Sequence, residues 1–92
     1  PARIEVVDLI PGTRLTIGRS PGNRIVIQDP KCSRQHCEVY GRENRWFLRD
    51  LDSRNGVVVD GHRISSDWEL ELGQSIALGA FTFTMTALPG TP

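Results

Sequence analysis

The chain has 92 residues, of which 38% are hydrophobic and 24% charged, and these values suit one small globular domain with a single core. Eleven basic side chains balance eleven acidic ones, so the formal net charge is zero, which argues against a protein that binds nucleic acid through bulk charge. No stretch approaches the roughly 18 apolar residues that a membrane helix needs, and a chain this short leaves little material for a deep catalytic cleft.

The first half of the chain consists of short runs of β-branched and aromatic residues separated by turn-forming residues. Strands are predicted at residues 3–7, 14–18 and 25–27, and apolar and polar side chains alternate in the first two. Residues 37–40 and 46–51 are predicted to form a hairpin. The second strand of this hairpin alternates less clearly, which favours a place in the interior of a sheet.

The second half continues the same pattern of short strands and turns. A strand is predicted around residues 76–78, and another at 81–86, where three apolar side chains face one way and three threonines face the other. Few intervals between the turns are long enough for a helix. Short strands at regular spacing with frequent turns predict an all-β fold, a sandwich or a barrel.

Cys32 and Cys37 are the two cysteines of the chain. No second Cys or His pair completes a zinc site, so no metal site is predicted. A disulfide between residues five positions apart would need both side chains to converge across a short segment, which is geometrically awkward. We expect two reduced thiols, at least one of them filling space in the core, and therefore a cytoplasmic or otherwise intracellular protein.

Three loop segments place a cation beside a hydroxyl or an amide: residues 18–20, 31–36 and 53–56. A phosphate monoester carries about −1.5 to −2 charges and three acceptor oxygens, which such donors can bind. The side chains that could converge on one phosphate are Arg19, Lys31, Ser33 and Asn55. Because the loops of a sandwich are divided between its two ends, spacing alone leaves open whether these segments meet.

The same segments resemble, in order, the signature of the forkhead-associated (FHA) domain family. Gly18-Arg19 matches its G-R, residues 33–36 (S-R-Q-H) match its S-R-x-H, and residues 53–56 (S-R-N-G) match its S-x-N-G. The resemblance implies an FHA/SMAD-like β-sandwich of about eleven short strands with its recognition loops at one end. We expect this domain to span residues 1–88 and residues 89–92 to begin a linker or tail.

The resemblance also implies how a ligand would be bound. Arg19 and Ser33 would hold the phosphate oxygens. Lys31 would add a contact to the phosphate or to an acidic side chain of the peptide, and Arg34 would contact the phosphate or the peptide backbone. Asn55 would form hydrogen bonds with the main chain of an extended peptide.

Four further residues of these segments complete the set. Arg54, which stands where many family members have threonine, is predicted to bind the peptide backbone together with Asn55, and it could meet an acidic ligand residue. Gly18, His36 and Gly56 are predicted to have structural roles. The histidine would be buried and would brace the loops, and Gly56 would permit a turn with positive φ.

The implied function is a monomeric module that binds phosphothreonine-containing protein segments in Ser/Thr kinase signalling, in trans or within its parent chain, without a cofactor, nucleic acid or membrane. The alternative is a domain of the same fold that docks a partner through a sheet face without phosphate, using the threonines of the 81–86 strand. An enzyme is not expected, because Ser33 and His36 need not meet and no acid is clearly placed to orient the histidine.

Overall fold

The computed structural model describes residues 8–86 and, within them, nine strands and no helix. The strand predicted at residues 3–7 and the tail predicted at 89–92 lie outside the described residues. The strands are β1 (Arg14–Gly18), β2 (Ile25–Val26), β3 (Cys37–Arg42), β4 (Arg45–Asp50), β5 (Val58–Val59), β6 (His62–Arg63), β7 (Trp68–Leu70), β8 (Ser75–Leu78) and β9 (Phe81–Thr84).

The strands form two sheets, one with the order β2-β1-β3-β4-β7 and one with the order β6-β5-β8-β9. The buried faces of both contribute to one hydrophobic cluster, with Val39 and Leu48 from the first sheet and Val59, Ile76 and Leu78 from the second. Burial of such side chains contributes about 25 cal/mol per Å² of apolar surface removed from water. The predicted all-β sandwich is confirmed.

The predicted hairpin is formed by β3 and β4, and its connecting turn is shorter than the sequence indicated. Arg42 pairs with Arg45, so the connection is the two residues Glu43 and Asn44. Both have positive φ, 53° and 62°, as the tight turns that match the twist of a hairpin require.

β4 lies between β3 and β7, so its predicted interior position is confirmed. Its outer face is half-buried rather than buried, since Leu48 is buried while Phe47 and Arg49 are partly accessible. The neighbour β7, with only Trp68, Glu69 and Leu70, was not predicted as a strand. Three residues give too short a pattern for the alternation of side chains to be recognised.

The side chains of β9 point in the directions predicted for the 81–86 strand, except at its first residue. Phe83 and Met85 pack against the core, and Thr82 and Thr84 are exposed. Phe81, predicted to share the inner face, remains 42% exposed. It begins β9, which among residues 8–86 lies at one edge of its sheet, and it follows the turn after β8.

Candidate phosphate-binding loops

The register of the first sheet brings the three predicted loop segments to one end of the molecule. β1 and β4 both run antiparallel to β3, with Ile17 opposite Cys37 and Cys37 opposite Asp50. The loops that follow β1 and β4 therefore leave the sheet beside the loop that leads into β3. We call this region, residues 18–20, 31–36 and 53–56, the loop end; the predicted gathering of these loops is confirmed.

Main-chain and side-chain bonds join the first segment to the second. The backbone N–H groups of Arg19 and Ser20 donate to the carbonyl oxygens of Ser33 and Arg34 at 2.9 and 3.1 Å. The Arg19 Nε also donates to the carbonyl oxygen of Cys32 at 3.1 Å. The guanidinium of Arg19 is thus anchored at one nitrogen, and its remaining N–H donors stay available on an exposed side chain.

The third segment is joined to the second by hydrogen bonds from Arg54 and Asn55. The backbone N–H of Arg54 donates to Ser33 Oγ at 3.0 Å, so the serine oxygen acts as an acceptor and its own proton can be donated elsewhere. Asn55 Nδ2 donates to the carbonyl oxygen of Lys31 at 2.7 Å. This bond fixes the amide while leaving its oxygen and its second N–H for another partner.

His36 is fully buried and links the second and third segments through both ring nitrogens. Nδ1 accepts a hydrogen bond from the backbone N–H of Ser33 at 3.0 Å, so the ring proton lies on Nε2. Nε2 then donates to the carbonyl oxygen of Gly56 at 2.7 Å. The neutral ring satisfies two backbone groups that would otherwise be buried without partners.

Gly18 allows the first two segments to approach closely. A Cβ at this position would collide with the carbonyl oxygen of Arg34 and would lie 2.8 Å from Asn23 Nδ2 and 2.9 Å from the Arg34 carbonyl carbon. The obstacle is backbone rather than a movable side-chain end. A side chain at residue 18 would therefore push the Arg34 segment away from β1.

Asn23 supports the loop end, although its place in the run Pro21-Gly22-Asn23 predicts only a turn. The side chain is buried, and Nδ2 donates to the carbonyl oxygens of Ser20 and Arg34 at 2.9 and 2.6 Å. Two loop segments therefore share one amide group. Its position among turn-forming residues gave the only sequence signal, because the bond to Arg34 depends on tertiary contact.

Asp29 is a second residue that supports the loop end, although the pair Asp29-Pro30 predicts only a turn. Its carboxylate accepts the backbone N–H of Lys31 and, from the turn between β8 and β9, the backbone N–H of Ala80, each at 2.9 Å. These bonds, from Ala80 first and then Lys31, hold the pKa of the Asp29 carboxyl below its ordinary value. The loop before β3 is thereby tied to the second sheet.

The loop end presents cationic side chains that form no salt bridge within residues 8–86. Arg19, Lys31, Arg34 and Arg54 are exposed, and none of them lies within 4.0 Å of a carboxylate among residues 8–86. Asp29, the acid nearest to Lys31 in sequence, is already bound to two N–H groups. An incoming phosphate would find several donors here that are not engaged by a carboxylate of the described residues.

The structure brings all of the predicted site residues to this one end, where their ligand-binding roles remain predictions. Within residues 8–86, no cluster of three or more His, Cys, Asp or Glu side chains could hold a metal ion. That same part of the chain contains no helix that is long and apolar enough to cross a membrane. Both cysteines are free and buried.

The sequence matches the family model of the FHA domain at residues 15–79. It is 27% identical over 75 residues to the FHA domain-containing protein FhaB of Mycolicibacterium smegmatis, covering 74% of this chain and 48% of FhaB. It is 35% identical over 75 residues to the transcriptional regulatory protein EmbR of Mycobacterium tuberculosis, covering 82% of this chain and 19% of EmbR. The chain thus spans about half of FhaB and a fifth of EmbR.

Solved structures share the fold. The FHA domain of the CT664 protein from Chlamydia trachomatis aligns with a TM-score of 0.81 at 34% identity, covering 87% of this chain and 81% of that one. EmbR in complex with a low-affinity phosphopeptide aligns with a TM-score of 0.79 at 33% identity, covering 86% of this chain and 21% of that one. With the loop geometry, the signature and these alignments in agreement, the chain belongs to the FHA domain family.

Proposed function

We propose that this domain binds phosphothreonine-containing protein segments and so acts as a reader of Ser/Thr kinase signalling. The observation that carries the proposal is the loop end itself, where three hydrogen-bonded loops present a hydroxyl proton, an amide and cations that form no salt bridge within residues 8–86. The EmbR domain, which resembles this one, binds a phosphopeptide in its structure. The partner of this domain is a phosphorylated protein segment, in trans or in its own parent chain.

The bonds already made by each side chain suggest its part in binding. Arg19, held at Nε, directs its outer N–H groups to the phosphate, and the hydroxyl of Ser33 donates to a second phosphate oxygen. The exposed Lys31 and Arg34 add positive charge. Hydrogen bonds between ionised groups are worth about 1.5–3 kcal/mol each, and anchored donors lose less entropy when the ligand binds.

Asn55 is suited to hold the main chain of the peptide next to the phosphate. Its Nδ2 is anchored on Lys31, which leaves an acceptor and a donor for the two groups that a peptide backbone offers. Arg54 lies beside it with an exposed side chain. An extended segment bound in this way crosses from the second loop segment to the third.

The test is calorimetric titration of the domain with one peptide in its phosphothreonine, phosphoserine and unphosphorylated forms. We expect phosphothreonine binding near micromolar Kd, about −8 kcal/mol, and no binding of the unphosphorylated peptide. Arg19→Ala should weaken binding by about 2–5 kcal/mol, because it removes one partner of a charge pair that the ligand desolvates.

Arg42→Ala is the matched control, since Arg42 is an exposed arginine at the opposite end of β3. It removes the same charge and should leave the affinity unchanged. Equal affinities of the wild type and Arg19→Ala would refute the role of Arg19. Binding of an unphosphorylated partner that survives in Arg19→Ala would instead favour docking through the sheet face that carries Thr82 and Thr84.

The proposal includes no catalysis. Both nitrogens of His36 are bound to backbone groups, so the ring has no free nitrogen to activate the Ser33 hydroxyl. We further propose that the domain spans residues 1–88 and works inside the cell, where kinases and reduced thiols are found.

A further inference from the structure

Arg63, on β6, reaches back to the loop end although its position in the sequence lies outside the signature segments. Its backbone pairs with Val58 on β5, and its side chain covers Gly56. A Cβ on Gly56 would touch Arg63 Nε and would lie 2.7 Å from Cζ and 3.0 Å from Nη2. The guanidinium therefore rests against the residue that directly follows Asn55.

The surface under this guanidinium is rigid. Gly56 has a φ of +80°, its N–H donates to Ser53 Oγ at 3.0 Å, and its carbonyl oxygen accepts from His36 Nε2 at 2.7 Å. Asn55 is itself anchored on the Lys31 carbonyl. The missing side chain of Gly56 leaves the space in which the arginine lies, so its charge sits next to the residue that follows the proposed peptide-binding amide.

The charge of Arg63 is not neutralised by any salt bridge within the part of the chain that the structure describes. Arg63 is exposed, and no carboxylate of residues 8–86 lies within 4.0 Å of it. The acid closest to it in sequence, Asp60, accepts the backbone N–H of Ser75 at 2.9 Å. A planar fork of donors on a rigid support and without a partner is matched by a carboxylate, which can accept two parallel bonds.

We propose that Arg63 binds the carboxylate of an acidic ligand residue, so that the domain prefers phosphothreonine segments with Asp or Glu on the flank that passes Asn55. This inference rests on the proposed function and specifies its ligand. Phosphate at Arg19 and carboxylate at Arg63 would give the segment two charged contacts besides its hydrogen bonds to Asn55.

The experiment uses the 92-residue chain and a phosphothreonine peptide with neutral flanks. A single glutamate is moved one position at a time along both flanks, and each affinity is measured by titration. Glutamate on one flank only should tighten binding about twofold to fivefold, the range for a solvent-accessible ion pair. In Arg63→Gln this gain should disappear while the affinity for the neutral peptide stays the same.

Three comparisons keep the result specific. Arg42→Gln, with the same loss of charge at the far end of β3, should retain the gain, and Arg63→Lys should retain part of it because the charge remains. Loss of the gain in Arg54→Gln but not in Arg63→Gln would overturn the inference. So would an equal weakening of neutral and acidic peptides in Arg63→Gln, which would show that Arg63 only supports Gly56.

The affinity of the wild type for the neutral phosphopeptide distinguishes a failure of this inference from a failure of the proposed function. If the wild type binds it and glutamate brings no gain at any position, the inference is wrong and the phosphothreonine reader stands. If the wild type binds no phosphopeptide, both fail. A thermal melt of each variant identifies loss of folding, and Arg63→Lys then carries the comparison if Arg63→Gln is unstable.

Discussion

At the scale of single residues, the loop end depends on two groups that never need to touch a ligand. His36 pairs the Ser33 N–H with the Gly56 carbonyl, and an unpaired buried group of this kind costs about 1–3 kcal/mol. Gly18 supplies the space in which the Arg34 carbonyl lies. His36 and Gly18 thus set the positions of Arg19 and Ser33, although neither of them offers a free side-chain donor to a phosphate.

Replacing Gly18 by alanine tests this dependence. The new methyl group would collide with the Arg34 backbone, and such overpacking destabilises a fold by about 1–3 kcal/mol. We expect a lower free energy of unfolding in urea. Phosphopeptide affinity should fall as well, because the Arg34 segment moves relative to Arg19.

Gly22→Ala is the matched control, since a Cβ there would meet nothing within 4 Å and the φ of Gly22 is not positive. It should be neutral, or more stable by about 0.4–1 kcal/mol, because alanine has fewer unfolded conformations. Equal stabilities of Gly18→Ala and Gly22→Ala would contradict the proposed close approach.

At the scale of elements, Asp29 joins the two sheets. The loop between β2 and β3 belongs to the first sheet, and the turn between β8 and β9 belongs to the second. The carboxylate binds Lys31 N–H on one side and Ala80 N–H on the other, and residues 29 and 80 are 51 positions apart. The loop with Lys31 and Ser33 is therefore held by the second sheet as well as by its own.

Asp29 predicts a dependence of stability on pH. The folded pKa lies below the ordinary aspartate value of 3.8, so the ionised carboxylate stabilises the fold above that pH, and this contribution is lost as the pH falls through the folded pKa. Urea unfolding measured from neutral to acid pH should show the loss. In Asp29→Asn the decline should be shallower and the stability at neutral pH lower.

The decline should not vanish in that variant. The pKa of Asp67 is also lowered, by hydrogen bonds from Arg49 and Tyr40 on the outer face of the first sheet. This cluster is partly exposed, so solvent and salt screen it. Identical pH profiles of the wild type and Asp29→Asn would show that Asp29 does not link the sheets energetically.

At the scale of the whole molecule, the two thiols report on opening of the sandwich. Cys37 is fully buried at the start of β3, a strand with neighbours on both sides, and Cys32 is buried within the loop end. Burial raises the pKa of both thiols, most strongly for Cys37. Because the thiolate is the reactive form, both cysteines should be inert in the folded state.

Labelling with a thiol reagent should therefore be slow in native buffer and rapid in denaturant. Cys32→Ser isolates Cys37, whose labelling should require opening of the core and should follow the global free energy of unfolding. Cys37→Ser isolates Cys32, which should label sooner, because its loop can open without the sheet. Fast native labelling of Cys37 would contradict the packing of β3.

The sequence by itself predicted the fold class, most strands and the side chains that are proposed to bind phosphate. Period-two alternation and turn residues are local signals, and they located the β3–β4 hairpin and the strand that begins at Ser75. The three signature segments also act locally, since each is a few consecutive residues. These features could be predicted because neighbours along the chain decide them.

Only the tertiary structure decided how distant segments meet. The pairing of β1 and β4 with β3 placed the loops at one end, and packing brought Asp29 to Ala80 and Arg63 to Gly56. It also left Phe81 partly exposed at an outer strand. Such contacts depend on strand register and on how the two sheets pack against each other. Neither can be predicted from the sequence separation of the residues that are in contact.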